Sequence, residues 1–268
     1  VYEGEIVPSA AEVGENTGNY EIVYNNGTLT IVKDTKTLKV ESANKTWPYD
    51  AAAHTWQVYT VTYGEETLTG TEGQTEFTLS TGDVVTVTPT EKGADGVKNV
   101  SDSGANSFTW TVTNEDGYNK GTDTVGTLTI TPVEITITMA DRTLPYNGQT
   151  QQGWTRTDEG KETVSGLVNN ETVTIDYTPS SGKTAGTYEN GSYDTATLVI
   201  KDGDTEVTEN YTLKTAAAGK LTIEKDDKEL KVESKDGKWT YDAESHTNKT
   251  YVVTYGDETL TGTEGQTE

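Results

Sequence analysis

The chain has no cysteine, which excludes disulfides and thiolate metal sites and leaves the redox compartment open. Phenylalanine occurs twice and methionine once in 268 residues. Hydrophobic residues total 31% and the mean hydropathy is −0.68. So small an apolar supply favours several small cores over one deep one. No apolar run reads as a signal peptide or a membrane span, so the targeting and anchoring segments of an exported protein are expected outside these residues. Basic residues are scarce as well. Twenty Lys and Arg against 44 Asp and Glu leave a formal charge of −24 and a pI of about 4.3. Phosphate backbones and anionic lipid surfaces need the opposite sign, so neither nucleic acid nor membrane is an expected partner. The acidic residues are scattered among strand-like runs rather than blocked, which argues against disorder.

What is abundant is threonine, about a fifth of the chain, together with Val, Ile and Tyr, residues that suit pleated, half-buried surfaces. The order of these residues repeats. TLKVESANKTWPYDAAAHTWQVYTVTYGEETLTGTEGQTE (residues 37–76) lies on ELKVESKDGKWTYDAESHTNKTYVVTYGDETLTGTEGQTE (residues 229–268) at a shift of 230 − 38 = 192. A long internal period of this kind marks a duplicated module. A weaker half-period sits inside it: GTLTI at residues 27–31 and 126–130, then GKLTI at 219–223. Each is followed by a new alternating run, and WPYD, LPYN and WTYD then place Tyr49, Tyr146 and Tyr241 in register. Asn19-Tyr20 and Asn210-Tyr211 precede their terminal strands, with Tyr118-Asn119 an imperfect counterpart. The chain therefore divides into the tail of one module (1–36), a module A (37–132), a module B (133–224) and the head of a second A (225–268). It is expected to be a piece of a longer chain in which residues like FTLSTGDVV follow.

Within modules, VYTVTYG, DVVTVTP, SFTWTVT, ITITM and ATLVIKD alternate apolar and polar residues with period two, separated by turn clusters such as KGADG and SSGKTAG. No window carries helix caps and a 3.6-residue stripe. Short strands at roughly ten-residue spacing over about 95 residues predict an all-β fold of tandem small sandwiches, Ig-like in architecture and arranged as an elongated rod.

At these residues the sequence resembles the MBG-type repeats of very large bacterial surface proteins. Module B carries the pattern as ITITMADRTLPYNG, NNETVTIDYT, TAGTYENGSY and ENYTLKTAAAGKLTI, whereas module A reads WPYDAAAHTW without the turn glycine. The resemblance implies an extracellular, cell-surface stalk or adhesin whose partners are neighbouring modules, like chains in a fibre, or host glycan. It supplies no catalytic residues.

A search for chemistry finds little. His54 and His246 are one position in two copies, and one His per module builds neither a metal cluster nor a nucleophilic triad. Scattered carboxylates alone do not make a glycosidase, which needs one raised acid at a defined separation in a cleft. No enzyme activity and no cofactor are therefore expected. Calcium has candidate oxygen ligands at DGDTE (residues 202–206) and NEDGYNKGTD (114–123), neither with EF-hand spacing. With Phe nearly absent, Trp and Tyr must furnish cores. Trp56 is the exception worth keeping as a candidate glycan contact, because Asn248 replaces it in the second copy. Lys39 and Lys231 on opening strands, with Asn119 and Asn210 near closing ones, are candidates for isopeptide bonds. Asn26-Gly27-Thr28 and Asn170-Glu171-Thr172 are sequons that arise from composition. The linkers VKDTKT (32–37) and EKDDKE (224–229) join a closing strand to the next opening one. The sequence thus favours a non-enzymatic spacer, with glycan adhesion by repeated weak contacts as the alternative.

Overall fold

A computed structural model of the chain describes residues 2–12, 18–263 and 265–266. The last residues of the long repeat, Glu264, Thr267 and Glu268, and residues 13–17 of the leading segment lie outside the described residues. The architecture is all-β, as expected: short strands in many small sheets, with a single turn of α-helix at Lys92–Asp95 and brief 3-10 turns between them. Packing gathers the chain into two units. One is Val1–Glu134 with Gly166–Thr172 and Ile200–Thr212; the other is Ile135–Ser165, Val173–Val199 and Leu213–Glu268. The division by sequence into 1–36, 37–132, 133–224 and 225–268 is a different one, since two stretches of module B pack with module A.

In the first unit the opening strand Thr37–Ser42 pairs antiparallel with Tyr59–Tyr63, which pairs with Glu66–Thr69; Asn119–Lys120 joins the other edge in parallel. Alternate residues of the first two strands point inward, the period-two pattern read from TLKVES and YTVTY. A second sheet holds Glu76–Thr78, Val84–Pro89 and Phe108–Val112. Leu38, Val40, Tyr59 and Val61 from the first sheet and Phe77, Val85, Val87 and Val112 from the second share one apolar cluster. This is sandwich-like packing, and each such side chain contributes about 1.5–3 kcal/mol by leaving water.

A third sheet closes the module. Lys45–Pro48 runs parallel to Thr127–Thr131, so that Leu128 faces Lys45 and Thr131 faces Pro48. The glycine of the recurring GTLTI phrase has its reason here: a Cβ on Gly126 would stand 2.5 Å from the carbonyl oxygens of Ser42 and Ala43. Gly219, in GKLTI, is under the same constraint, with the Ala140 oxygen closer still.

The second unit repeats this plan. Arg142–Pro145 runs parallel to Leu221–Glu224 in the same register, Leu221 facing Arg142. Val133–Met139 pairs antiparallel with Glu162–Ser165. The head of the second A copy forms a three-stranded sheet of Leu230–Ser234, Tyr251–Tyr255 and Glu258–Thr261. Its register, Leu230 opposite Tyr255 and Val232 opposite Val253, is that of Leu38 opposite Tyr63 and Val40 opposite Val61.

Candidate functional site

The parallel strand Lys45–Pro48 delivers Tyr49, whose backbone N–H donates to the Thr131 carbonyl at 2.9 Å. The ring is 2% exposed and sits edge-on to Tyr211, with centroids 5.5 Å apart. Its hydroxyl donates to Glu171 Oε1 at 2.7 Å. The other carboxylate oxygen accepts the Tyr211 hydroxyl, and that hydroxyl in turn accepts the Val168 N–H at 3.0 Å. Glu171 is 6% exposed. Each oxygen of this buried carboxylate thus accepts one phenol hydroxyl, and hydrogen bonding of this kind is what makes its burial tolerable. Burial, and then the adjacent carboxylate, push the Tyr49 and Tyr211 hydroxyls well above the ordinary phenol range.

Beside this bridge, the 3-10 turn Thr208–Asn210 presents Asn210, which is fully buried. Its Oδ1 accepts the Val100 N–H at 2.7 Å, and its Nδ2 donates to Asn99 Oδ1 at 2.9 Å. Ser101 donates to Glu209. Tyr49 and 99–101 belong to module A by sequence, whereas Glu171 and 209–211 belong to module B. All of them lie in the first packing unit.

Module A contains a related tyrosine–carboxylate contact within itself, with a single phenol on a half-buried acid. Tyr118 follows the 3-10 turn Glu115–Gly117 as Tyr211 follows Thr208–Asn210, and its hydroxyl donates to Asp83 Oδ2 at 2.7 Å. The true counterpart of Tyr211 is therefore Tyr118, one residue off the alignment suggested by the Asn-Tyr pairs. The ring beside Tyr118 is Tyr63, at 5.2 Å. In module B, Thr136 faces Ser165, so the next residue, Gly166, stands where Tyr63 stands in module A. Tyr49 supplies beside Tyr211 the ring that module B lacks.

Tyr63 is tied to the linker before its own module. Its hydroxyl donates to Asp34 Oδ2 at 2.7 Å, and the Lys36 ammonium lies 5.1 Å from the ring centroid. The second copy repeats the clasp: Tyr255 donates to Asp226, with Lys228 5.2 Å over the ring. These hydrogen bonds push both tyrosines up to about 12 and hold Asp34 and Asp226 below the usual carboxylate range.

Other residues singled out in the sequence are placed as follows. His54 stacks on Trp47 at 5.0 Å and shares a hydrogen bond with Asp50 at 2.9 Å; His246 does the same with Trp239 at 5.2 Å and Asp242 at 2.8 Å. Ala51 and Ala243 both take φ above +60°, so the repeat reproduces one turn twice. Trp56 is half-buried and carries the Lys45 ammonium 4.3 Å over its ring, so a sugar would meet a face already holding a cation. Tyr146 has the backbone bond of Tyr49, N–H to the Glu224 carbonyl at 3.0 Å, yet its side chain is 39% exposed; Tyr241 is 91% exposed.

Of the candidate calcium ligands, Asp123 accepts the Val40 N–H and the Trp110 indole N–H, and Glu115 pairs with Lys120. Among the described residues no group of three His, Cys, Asp or Glu is arranged to hold a metal ion. Lys39 and Lys231 pair with Glu41 and Glu233 on their own strands, with side chains 37% and 55% exposed, whereas an isopeptide bond needs a buried amine.

Glu171 was overlooked by sequence reasoning, which met it inside NNETVTIDYT and a sequon without assigning it a role. The signal that finds it is the acid preceding each middle strand, Asp83 and Glu171, paired with the tyrosine eight residues before Gly126 and Gly219. Compared with protein-family models, curated proteins and solved structures, the chain matches none.

Proposed function

We propose that the chain is a non-enzymatic spacer: tandem Ig-like sandwich modules, arranged as an elongated rod, in the stalk of a secreted bacterial surface adhesin or fibre. The observation that carries the reading is the Tyr49–Glu171–Tyr211 bridge, in which the turn of one repeat is locked to the buried carboxylate of the next. A phenol–carboxylate–phenol arrangement this buried presents no acid, base or nucleophile to a substrate. What it can do is fix one repeat against another. The clasps at Asp34 and Asp226 serve the other kind of linker, holding it to the first sheet of the module it enters. Net negative charge on the repeats adds repulsion within about 8 Å at physiological salt, which favours extension.

Small-angle scattering tests the proposal. A radius of gyration near the ~18 Å of a single compact domain of this length would refute it, and one well above that value supports it. No helix among the described residues is long and apolar enough to cross a membrane.

A further inference from the structure

The opening and closing runs of module A lie side by side, pointing the same way, over almost their whole length. Thr37 and Leu38 face Asn119 and Lys120, Glu41 faces Thr124, and Lys45–Pro48 faces Leu128–Thr131. The offset is 119 − 37 = 82 at the start and 131 − 48 = 83 at the end, so the runs stay in step with one extra residue in the closing one. Between the two short ladders, side chains carry bonds across the seam. Asp123 Oδ1 accepts the Val40 N–H at 2.9 Å, Ser42 Oγ accepts the Gly126 N–H at 2.8 Å, and Asn44 Oδ1 accepts the Thr127 N–H at 2.7 Å. The seam ends on the bond from the Tyr49 N–H to the Thr131 carbonyl. Module B closes in the same manner. Arg142–Pro145 runs parallel to Leu221–Glu224, and Asp141 Oδ1 accepts the Lys220 N–H at 2.8 Å, as Asn44 serves Thr127.

We infer that this seam is a shear clamp, through which each repeat bears tension along the chain. The inference rests on the stalk reading in one respect, that a stalk is pulled through its ends. Tension enters module A before Thr37 and leaves after Thr131, at opposite ends of the seam. The pull slides two parallel runs past each other and loads the bonds between them together. Sliding also drags Leu38, Val40, Leu128 and Ile130 from fully buried sites. Parallel neighbours need a long connection, and none of the chain between Tyr49 and Tyr118 is released until the seam gives. Resistance to a pull is set by the unfolding barrier, so this geometry matters more than the worth of any single bond.

The test is single-molecule force spectroscopy on the whole chain, in which the lack of native cysteine makes introduced thiols unique handles. Thr35→Cys with Pro132→Cys loads the seam in shear. Thr35→Cys with Gly117→Cys pulls at one end of the seam and peels it. Thr35 and Pro132 are exposed, and a Cβ on Gly117 meets nothing within 4 Å, so the handles leave the fold intact. At equal loading rate the module is expected to yield in shear at about twice the peeling force or more. Yielding in shear should lengthen the chain by about 300 Å in one step, for the 132 − 35 = 97 residues between the handles. Asn44→Ala, at an exposed position, lowers the shear force and leaves the peeling force unchanged, because peeling breaks the Thr37 end first. Equal forces in the two geometries, or an equal effect of Asn44→Ala on both, would overturn the inference. Equal forces in a chain that scattering finds extended would retire the clamp and leave the stalk; unequal forces in a compact chain would do the reverse.

Discussion

Replacing Tyr49 by Phe deletes one hydroxyl and keeps the ring, so the edge-on contact with Tyr211 and nearly all of the buried area survive. What is lost is a 2.7 Å hydrogen bond to a carboxylate that is almost wholly out of water. A bond to a charged group is worth about 1.5–3 kcal/mol, and the Glu171 oxygen left behind has no solvent to replace it, so the upper half of that range is expected. For a unit of this size a loss of about 2.5 kcal/mol lowers the midpoint by roughly 5–10 °C. Tyr146→Phe is the matched control, since the same turn position there carries an exposed hydroxyl; it should stay within about 0.5 kcal/mol of the parent. Urea titration gives the global value. Amide exchange at Val168 and Val100, whose N–H groups end on Tyr211 and Asn210, reads the local opening. A cycle with Glu171→Gln should show a coupling of about 0.5–3 kcal/mol. Equal effects of Tyr49→Phe and Tyr146→Phe, or additive behaviour in the cycle, would refute the reasoning.

Gly126→Ala and Gly219→Ala drive a methyl into backbone carbonyls and should each cost about 1–3 kcal/mol, whereas Gly27→Ala, whose methyl meets only the Ile6 side chain at 3.6 Å, should be near neutral in chemical denaturation. Alkaline titration followed by phenolate absorbance should find Tyr63 and Tyr255 ionising near 12. Because the unfolded chain loses those protons first, near 10, the stability they contribute is whole below pH 10 and is lost as pH rises from there through 12. Arg156→Ala removes a forked pair with Glu162 and bonds to the carbonyls of Val173 and Ile175, and should cost about 2–3 kcal/mol by urea melt. On the spacer reading, chains displayed at high density show no saturable binding to mucin or glycan arrays; binding that Trp56→Ala weakens would put adhesion in its place.

The strands were legible because each buries one face, and burial of one face writes a period of two into TLKVES, YTVTY and VEITITM. The recurring tyrosine was legible as a structural position but not in its fates. Tyr49, Tyr146 and Tyr241 share their local sequence, and only the first meets a buried carboxylate, supplied from 122 residues away. Local sequence does not encode such a partner. The pairing of Lys45–Pro48 with Thr127–Thr131 was hidden for the same reason, since parallel neighbours need no turn between them. The stacking of His54 and His246 on Trp47 and Trp239 was hidden too, because it needs the positive-φ alanines, which no propensity foretells.

The sheet Leu230–Thr261 holds the same register as Thr37–Thr69, and these pairings bear on the order in which a repeat assembles. Its pairings are close in sequence: Ser234 reaches Tyr251, and Tyr255 reaches Glu258. The contact that finishes a repeat, Lys45 to Leu128, must close a far longer loop and so carries the larger entropic cost. As the chain leaves the ribosome, each first sheet can form as soon as about forty residues have emerged, and the parallel closing strand arrives last. Folding then advances from the N-terminus as a row of small early hairpins, each sealed in turn by the strand that leads into the following linker.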